Sequence, residues 1–350
     1  MRSRSFYLLG DVNLKGVADP SAIFDVFGLR LAAADMVFAN LECCLFDVAE
    51  QAAEKRGFYV PTRAAELLKR GGLQVVGTAN NVNIGAEAIA SSLSALADAD
   101  IGQVGSGLDP QGAYASLVVE RDGLRYGFLQ RTAVYWPDGH EAQPGRPGVA
   151  IIKAGTAYRP RFDQQAARTR PGVPPEVMTW ADKQSLAEVA EAVTELRQRA
   201  DIVTASFHWG FRAEILTYQR EFAHAAIDAG ADLVLGHGPH MILPIELHAG
   251  RPIIYGGGNF SFLYAHDSHA HTDWVGMAMR AEIEDGSIAR IALSFVRRDD
   301  MHRTIERAVD DEPRERDRLI EAALANGATL RAQGRELILD LRPAAAATDN

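Results

Sequence analysis

At 350 residues the chain is long enough for one large domain or two ordinary ones. Its 47 % hydrophobic and 23 % charged residues are a globular balance that excludes disordered and fibrous classes. Thirty-six basic against 46 acidic residues leave a formal charge of −10, the opposite of the basic surplus of nucleic-acid binders. The two cysteines, Cys43 and Cys44, are adjacent, a spacing that rarely bridges without strain, and the short apolar run in "MRSRSFYLLGDV" cannot form a signal-peptide core. No run approaches the roughly 18 apolar residues of a membrane span, so the expectation is a cytoplasmic protein with no membrane or nucleic-acid partner.

In chain order, "SFYLLGDV" (5–12) reads as a buried strand and "SAIFDVFGLRLAAA" (21–34) has helical spacing. "DMVFANLE" (35–42) is a second strand, "TRAAELLKRGG" (62–72) a helix stopped by paired glycines, and "LQVVGTANN" (73–81) a third strand. A helix over 85–100 and a short strand over 101–107 complete an alternation typical of largely parallel α/β sheets. "YASLVVERDGLRYGFLQRT" (114–132) is a hairpin around Asp-Gly. Residues 136–180 show no period and read as a long functional loop. Helix 182–200, strand 201–210, helix 217–230 and strand "ADLVLGHGPH" follow, then hairpins around Ala-Gly and Asp-Gly. The last 40 or so residues read as helical, ending in the polar tail "RPAAAATDN". No linker divides the chain: one mixed α/β domain over 1–340 is expected, with a disordered tail over 341–350 and homo-oligomerisation left open.

In parallel α/β sheets, ligands gather beyond the carboxyl ends of strands. The chain places Asp11 and Asn13, Asn40 and Glu42, Asn80 and Asn81, His208, and His237 with His240 there, each just after an apolar run. A single Asp or Asn after a strand is usually a cap or turn residue, and a single His usually a hydrogen-bonded structural one. Five strand ends in the same condition point instead to a shared site. Carboxylates with imidazoles suit Zn, Mn or Fe, and two such ions bridged by a carboxylate make a hydrolytic centre.

The series "GDV", "ANLE", "TANN", "FHWG", "GHGPH" and "PIIYGGGNFSF", spread over about residues 6–263, resembles the CapA family. That family is associated with bacterial poly-γ-glutamate capsule synthesis and belongs to the calcineurin-like metallophosphatase superfamily. The resemblance implies a four-layer α/β/β/α sandwich with mixed sheets and metals at one edge of the paired sheets. It also implies ligand roles for Asp11, Glu42, an asparagine of Asn80–Asn81 (Asn81 is favoured), His208, His237 and His240.

The departures bear on chemistry. The family usually follows its asparagine pair with a histidine that protonates the leaving group; here Val82 stands there. Its "GHHPH" is here "GHGPH", with Gly238 in the middle, so either His237 shifts inward to serve as ligand or catalyst or one ligand is missing. The usual acidic residue after "HWG" falls on Arg212, and Asn13 stands where classical phosphatases carry a metal-binding histidine. "YAHDSHAHTDW" (264–274) reads either as an exposed polar loop or as a source, in His266, His269 or His271, of the missing acid or a further metal ligand, with His269 the candidate acid. Arg131, Arg212, Asn13 and Asn259 are candidate substrate contacts, and the arginine-rich stretch 158–172 favours an anionic substrate. The expected protein is a hydrolase with one or two divalent ions (Mn, Fe or Zn). His208, His237 and Asn81 serve the reaction, and an amide or γ-glutamyl-type bond of a small anionic substrate is favoured over a phosphoester. A non-catalytic accessory protein is the alternative.

Overall fold

A computed structural model describes residues 3–17, 20–48, 55–161, 165–264 and 273–342. Two large sheets form its centre. The ten-stranded sheet runs Leu330–Gln333, Glu336–Asp340, Ser287–Arg298, Gly276–Glu284, Arg4–Val12, Met36–Leu41, Val75–Gly77, Gly102–Val104, with Asn259–Ser261 and Thr304–Arg307 paired off this path. From Arg4–Val12 to Gly102–Val104 the pairing is parallel, and Gly276–Glu284 joins Arg4–Val12 antiparallel. The six-stranded sheet runs Ile245–His248, Arg251–Ile254, Leu233–His237, Ile202–His208, Leu124–Thr132, Leu117–Arg121, its four central strands parallel. The three expected hairpins turn at Asp122–Gly123, Ala249–Gly250 and Asp285–Gly286. Each turn pair has positive φ at both residues, which matches the right-handed twist of the flanking strands.

Alternation along each strand assigns its two faces. Phe6, Leu8 and Phe38 of the first sheet meet Tyr126, Phe128, Ile202, Leu233 and Leu235 of the second in one buried core. Phe38 stacks on Phe128 with centroids 5.4 Å apart, and Phe6 stands edge-on to Phe128 at 5.8 Å, pairs worth about 1 kcal/mol each beyond their burial. The opposite faces carry helices. Ile23, Phe27, Leu31, Leu68 and Leu96 cover Leu9, Val37 and Val76 on one side. Val189, Val193, Phe222 and Ala226 cover Val203, Ala205, Phe207 and Val234 on the other. The result is the expected four-layer α/β/β/α sandwich. Cys43 and Cys44 are buried, unbridged thiols, both pushed up to about 12 by burial. Among the described residues no helix is long and apolar enough to cross a membrane.

Four local expectations are corrected. The helix over 21–34 is broken into a 3₁₀ turn, Pro20–Phe24, and a short α-helix, Gly28–Ala32, with Phe24 and Phe27 both packed on Phe260. The stretch 136–180 contains an antiparallel ribbon, Ala154–Arg159 with Glu176–Ala181. Among the described C-terminal residues the α-helix is Pro313–Ala325, after a 3₁₀ turn at Val309–Asp311, and a hairpin then adds two strands to the first sheet. Leu341, where the tail was expected to begin, is held, its N–H donating to Ala289 O at 2.9 Å, and residues 343–350 lie outside the described ones.

Candidate metal centre

The carboxyl ends of the parallel strands from both sheets meet at one edge of the sandwich. Asp11 lies in Arg4–Val12, and Glu42 follows Met36–Leu41, its N–H held by Val12 O at 2.8 Å. His208 and His237 end neighbouring parallel strands in direct register. His240 sits in the turn beyond, at φ +56, a left-handed conformation uncommon for a residue with a Cβ. The Gly-Pro turn thus does present two imidazoles to one spot. His237 Nδ1 is 3.2 Å from Asp11 Oδ1, and His240 Nδ1 is 3.2 Å from Asp11 Oδ2. His240 Nε2 and His208 Nε2 stand 3.6 and 3.7 Å from Glu42 Oε1. One ligand atom each from Asp11, Glu42 and His240 lies within 4.8 Å of the others.

The electrostatics are those of a cation site. Asp11 and Glu42 are buried, and their ion-pair partners among the described residues are all histidines. Burial works against ionisation of Asp11, but His237 and His240 outweigh it and hold its carboxyl far below the usual range. Burial also works against a charged His240, yet Glu42 and Asp11 lift it to about 9. Glu42 Oε2, His208 Nε2, both ring nitrogens of His237 and Asn13 Nδ2 are buried without a hydrogen-bond partner among the described residues. Each such atom costs about 1–3 kcal/mol, and buried polar groups are otherwise nearly always satisfied. A divalent cation bound by Glu42 Oε2, His208 Nε2 and one nitrogen of His237 would remove most of the deficit, the Asn13 amide N–H excepted, so the residues fit the metal the sequence pattern implies.

The supporting shell holds residues that sequence reasoning missed. Gln130 reaches from the second sheet to donate to Asn40 Oδ1 at 3.1 Å, and Asn40 Nδ2 donates to Asp11 Oδ1 at 2.8 Å. Thr132 Oγ1 is 3.3 Å from His208 Nδ1. Strand parity was the available signal for both: Gln130 and Thr132 share a face, and Thr132 is in register with His208. His140 is also buried. Its Nδ1 accepts from Trp136 N at 3.1 Å, which leaves Nε2 as the donor to Asn83 O at 3.0 Å and ties the loop to the asparagine turn. Burial pushes it down to about 4.

Other candidates are placed differently. Asn80 is committed, donating to Asn40 Oδ1 and Leu41 O and accepting from Val82 N and Asn83 N, which removes it as a ligand. Asn81 is half-buried, and its carbonyl accepts from Trp136 Nε1 at 2.9 Å. Val82 packs in the outer apolar layer and offers no proton. Asn259 is buried, with Oδ1 3.0 Å from His240 Nδ1, so it aims His240, a correction to its expected substrate contact. Arg131 is also corrected. It alternates with Gln130 onto the opposite face of the sheet, donates to Gln130 O and Tyr114 O at 2.8 Å, and lines a cavity of about 850 Å³ beside the helix Lys183–Arg197. Arg212 is exposed in the bend after His208, its guanidinium 4.9 Å from the centre of the Phe211 ring. Asn13 Oδ1 accepts from Lys15 N at 2.8 Å. Arg159 is paired with Glu176 across the exposed ribbon. His269, with His266 and His271, lies outside the described residues.

Comparison with known proteins decides the family. The family described as bacterial capsule synthesis protein PGA_cap matches residues 7–264. The chain belongs to the PGA_cap family. A probable polyglutamine synthesis accessory protein from Mycobacterium tuberculosis is 32 % identical to this PGA_cap chain over 192 residues, 53 % of the chain and 44 % of that protein. The PGA biosynthesis protein CapA of Bacillus subtilis is 36 % identical over 117 residues, 33 % of this chain and 29 % of that protein. The matches therefore span less than half of either relative's length. A solved structure described as a novel phosphatase from Mycoplasma pneumoniae aligns over 97 % of this chain and 95 % of its own, at 13 % identity and a TM-score of 0.47.

Proposed function

We propose that this PGA_cap protein is a metal-dependent hydrolase that cleaves an amide or γ-glutamyl-type bond of a small anionic substrate. The observation that carries the reading is the buried Asp11–Glu42 pair, whose ion-pair partners among the described residues are all histidines, ringed by buried nitrogens without hydrogen-bond partners there. Asp11, Glu42, His208, His237 and His240 would hold one or two ions of Mn, Fe or Zn, with Asn81 completing the set. When bound, such a metal supplies Lewis acidity at the scissile carbonyl or phosphoryl group and acidifies water. The protein's own part is to aim the donors. The Gln130–Asn40 chain orients Asp11, Asn259 orients His240 and Thr132 orients His208, the outer-shell work that metal sites depend on.

The amide preference rests on the names of the relatives, and it requires an acid, because an amine leaving group must be protonated as the bond breaks. Val82 has no such proton, and the one on His140 is committed to Asn83 O. That leaves His237 or the segment carrying His269 for the acid role, and the names of the relatives point to polyglutamine and PGA. The relatives' word "accessory" supports a second reading, a site that binds metal and polymer fragments without turnover.

The test loads purified protein with Mn²⁺, Fe²⁺ or Zn²⁺ and offers γ-glutamyl-p-nitroanilide beside p-nitrophenyl phosphate. The reading expects metal-dependent p-nitroaniline release that falls by about 100-fold or more in Asp11→Asn and His240→Ala. Release of nitrophenol alone would move the reading to a phosphoesterase. Metal retained with neither product formed leaves the accessory protein standing.

A further inference from the structure

A second set of metal-ligating side chains lies outside this centre, on the helix-covered flank of the six-stranded sheet. His224 and Asp228 are four apart on the helix Thr217–Asp228, and Glu246 and His248 are two apart on the strand Ile245–His248, so each pair projects from one face of its element. The pairs cross. The helix histidine meets the strand carboxylate, His224 Nε2 to Glu246 Oε1 at 2.6 Å, and the strand histidine meets the helix carboxylate, His248 Nε2 to Asp228 Oδ1 at 2.8 Å. The two imidazoles lie parallel, 5° between planes and 4.0 Å between centroids. His248 pairs with Arg251 at the start of its strand, whereas His237 ends the neighbouring parallel strand, so the cluster sits toward the other edge of the sheet from the first centre.

We propose that His224, Glu246 and His248, with Asp228 as fourth donor, form a structural site for a divalent transition metal, Zn²⁺ being the best match. Two imidazoles with two carboxylates favour Zn, Cu or Ni over Mg or Ca. The two carboxylates balance the charge of one such ion. Glu246 has the built form of a ligating carboxylate: Oε2 is held by Tyr255 OH at 2.9 Å and by Arg220, whose other arm reaches Asn326 at 2.9 Å, leaving Oε1 directed at His224. Ligand atoms of His224, Glu246 and His248 already lie within 4.8 Å of one another. A tetrahedral zinc needs them about 3.3 Å apart. Both imidazoles are about a third exposed, which leaves room for their rings to turn toward that spacing, the 2.6 Å His224–Glu246 contact widening, while Glu246 stays held. The ion would take the place of the hydrogens now on the two Nε2 atoms, each imidazole staying neutral with its single proton on Nδ1, so that the two carboxylates alone answer the charge. Its effect is to bolt the helix Thr217–Asp228 to the strand Ile245–His248.

The experiment counts zinc in the full chain by equilibrium dialysis with elemental analysis, in the parent, His224→Ala/His248→Ala, Glu246→Gln and Asp11→Asn proteins. Circular dichroism melts run alongside, and the visible bands of tetrahedral Co²⁺ serve as a spectroscopic check. The proposal expects His224→Ala/His248→Ala and Glu246→Gln to bind one equivalent less than the parent and to lose the tetrahedral Co²⁺ bands. Asp11→Asn should keep that equivalent, whatever happens at the first centre. Glu246→Gln keeps the shape and the Tyr255 contact, so lost metal with a native spectrum is not misfolding. Equal zinc in the parent and both cluster variants overturns the proposal, as does a zinc equivalent lost only with Asp11→Asn. A parent that holds zinc at neither place overturns this site, whereas the hydrolase reading falls only if Mn²⁺ and Fe²⁺ are refused as well.

Discussion

Gly238 shows how one residue shapes the centre. It sits at φ +109, and a Cβ there would stand 2.8 Å from Trp209 O and 3.2 Å from His208 Nε2. The histidine expected by family resemblance therefore has no room, and His237 turns inward to Asp11 instead. Gly238→Ala should cost about 1–3 kcal/mol and displace His208. Urea unfolding together with metal retention checks this, and a variant with parental stability and full metal content would contradict it. His140 supplies a pH prediction away from the ligands. Its folded value of about 4 lies below the ordinary 6.5. Its contribution is therefore intact above pH 6.5 and is lost as pH falls toward 4, where the unfolded chain takes up a proton that the folded chain refuses. The loss is on the order of 3 kcal/mol. The stability gap between the parent and His140→Gln should accordingly narrow from pH 7.5 to pH 5, whereas a constant gap would refute the assignment. At this scale Asp11, Glu42, His208, His237 and His240 were legible because each ends an apolar run. Arg131 was misread because the run "LRYGFLQRT" shows alternation without showing which face meets the other sheet, and Gln130 was missed for the same reason.

Elements were legible where the pattern was local. The Asp-Gly and Ala-Gly turns fix their hairpins by their own φ angles. The ribbon Ala154–Arg159/Glu176–Ala181 was not legible, because Tyr158, Met178 and Trp180 remain exposed and no apolar face marks it. The C-terminal hairpin was read as helix because "TLRAQGRELILD" is rich in Leu, Arg, Ala and Glu, all good helix formers. Pairing with Ser287–Arg298 overrides that propensity and buries Leu330, Leu337 and Leu339. Truncation after Gly327 should strip the first sheet of this cover and expose the edge of Ser287–Arg298. Loss of soluble monomer in size-exclusion chromatography is the expected result, and a soluble, cooperatively melting truncate would show the hairpin dispensable.

Across the whole molecule, the centre draws its carboxylates from one sheet and its imidazoles from the other. Metal that binds only the folded chain stabilises it by mass action, about 2.7 kcal/mol at a hundredfold excess over Kd. Chelation should therefore lower the melting temperature, and re-addition of Mn²⁺ or Zn²⁺ should restore it. An unchanged melt after verified metal removal would mean that the two sheets are held by their shared aromatic core alone. Four layers and the ligand edge could be anticipated from chain order and resemblance. The stacking that joins Gln130 to Asn40 could not, since contacts between residues 90 apart belong to the packed sandwich rather than to either strand.

The same division of ligands has a temporal meaning. Asp11 and Glu42 leave the ribosome some 200 residues ahead of His240, and Asp11 N–H finally bonds Gly258 O. An ion held by Asp11, Glu42, His208, His237 and His240 together would need both halves of the sandwich, so its full uptake would wait until the distant halves had closed. Ion uptake, followed in a stopped-flow refolding experiment, would then act as a clock that strikes only at the last step of folding.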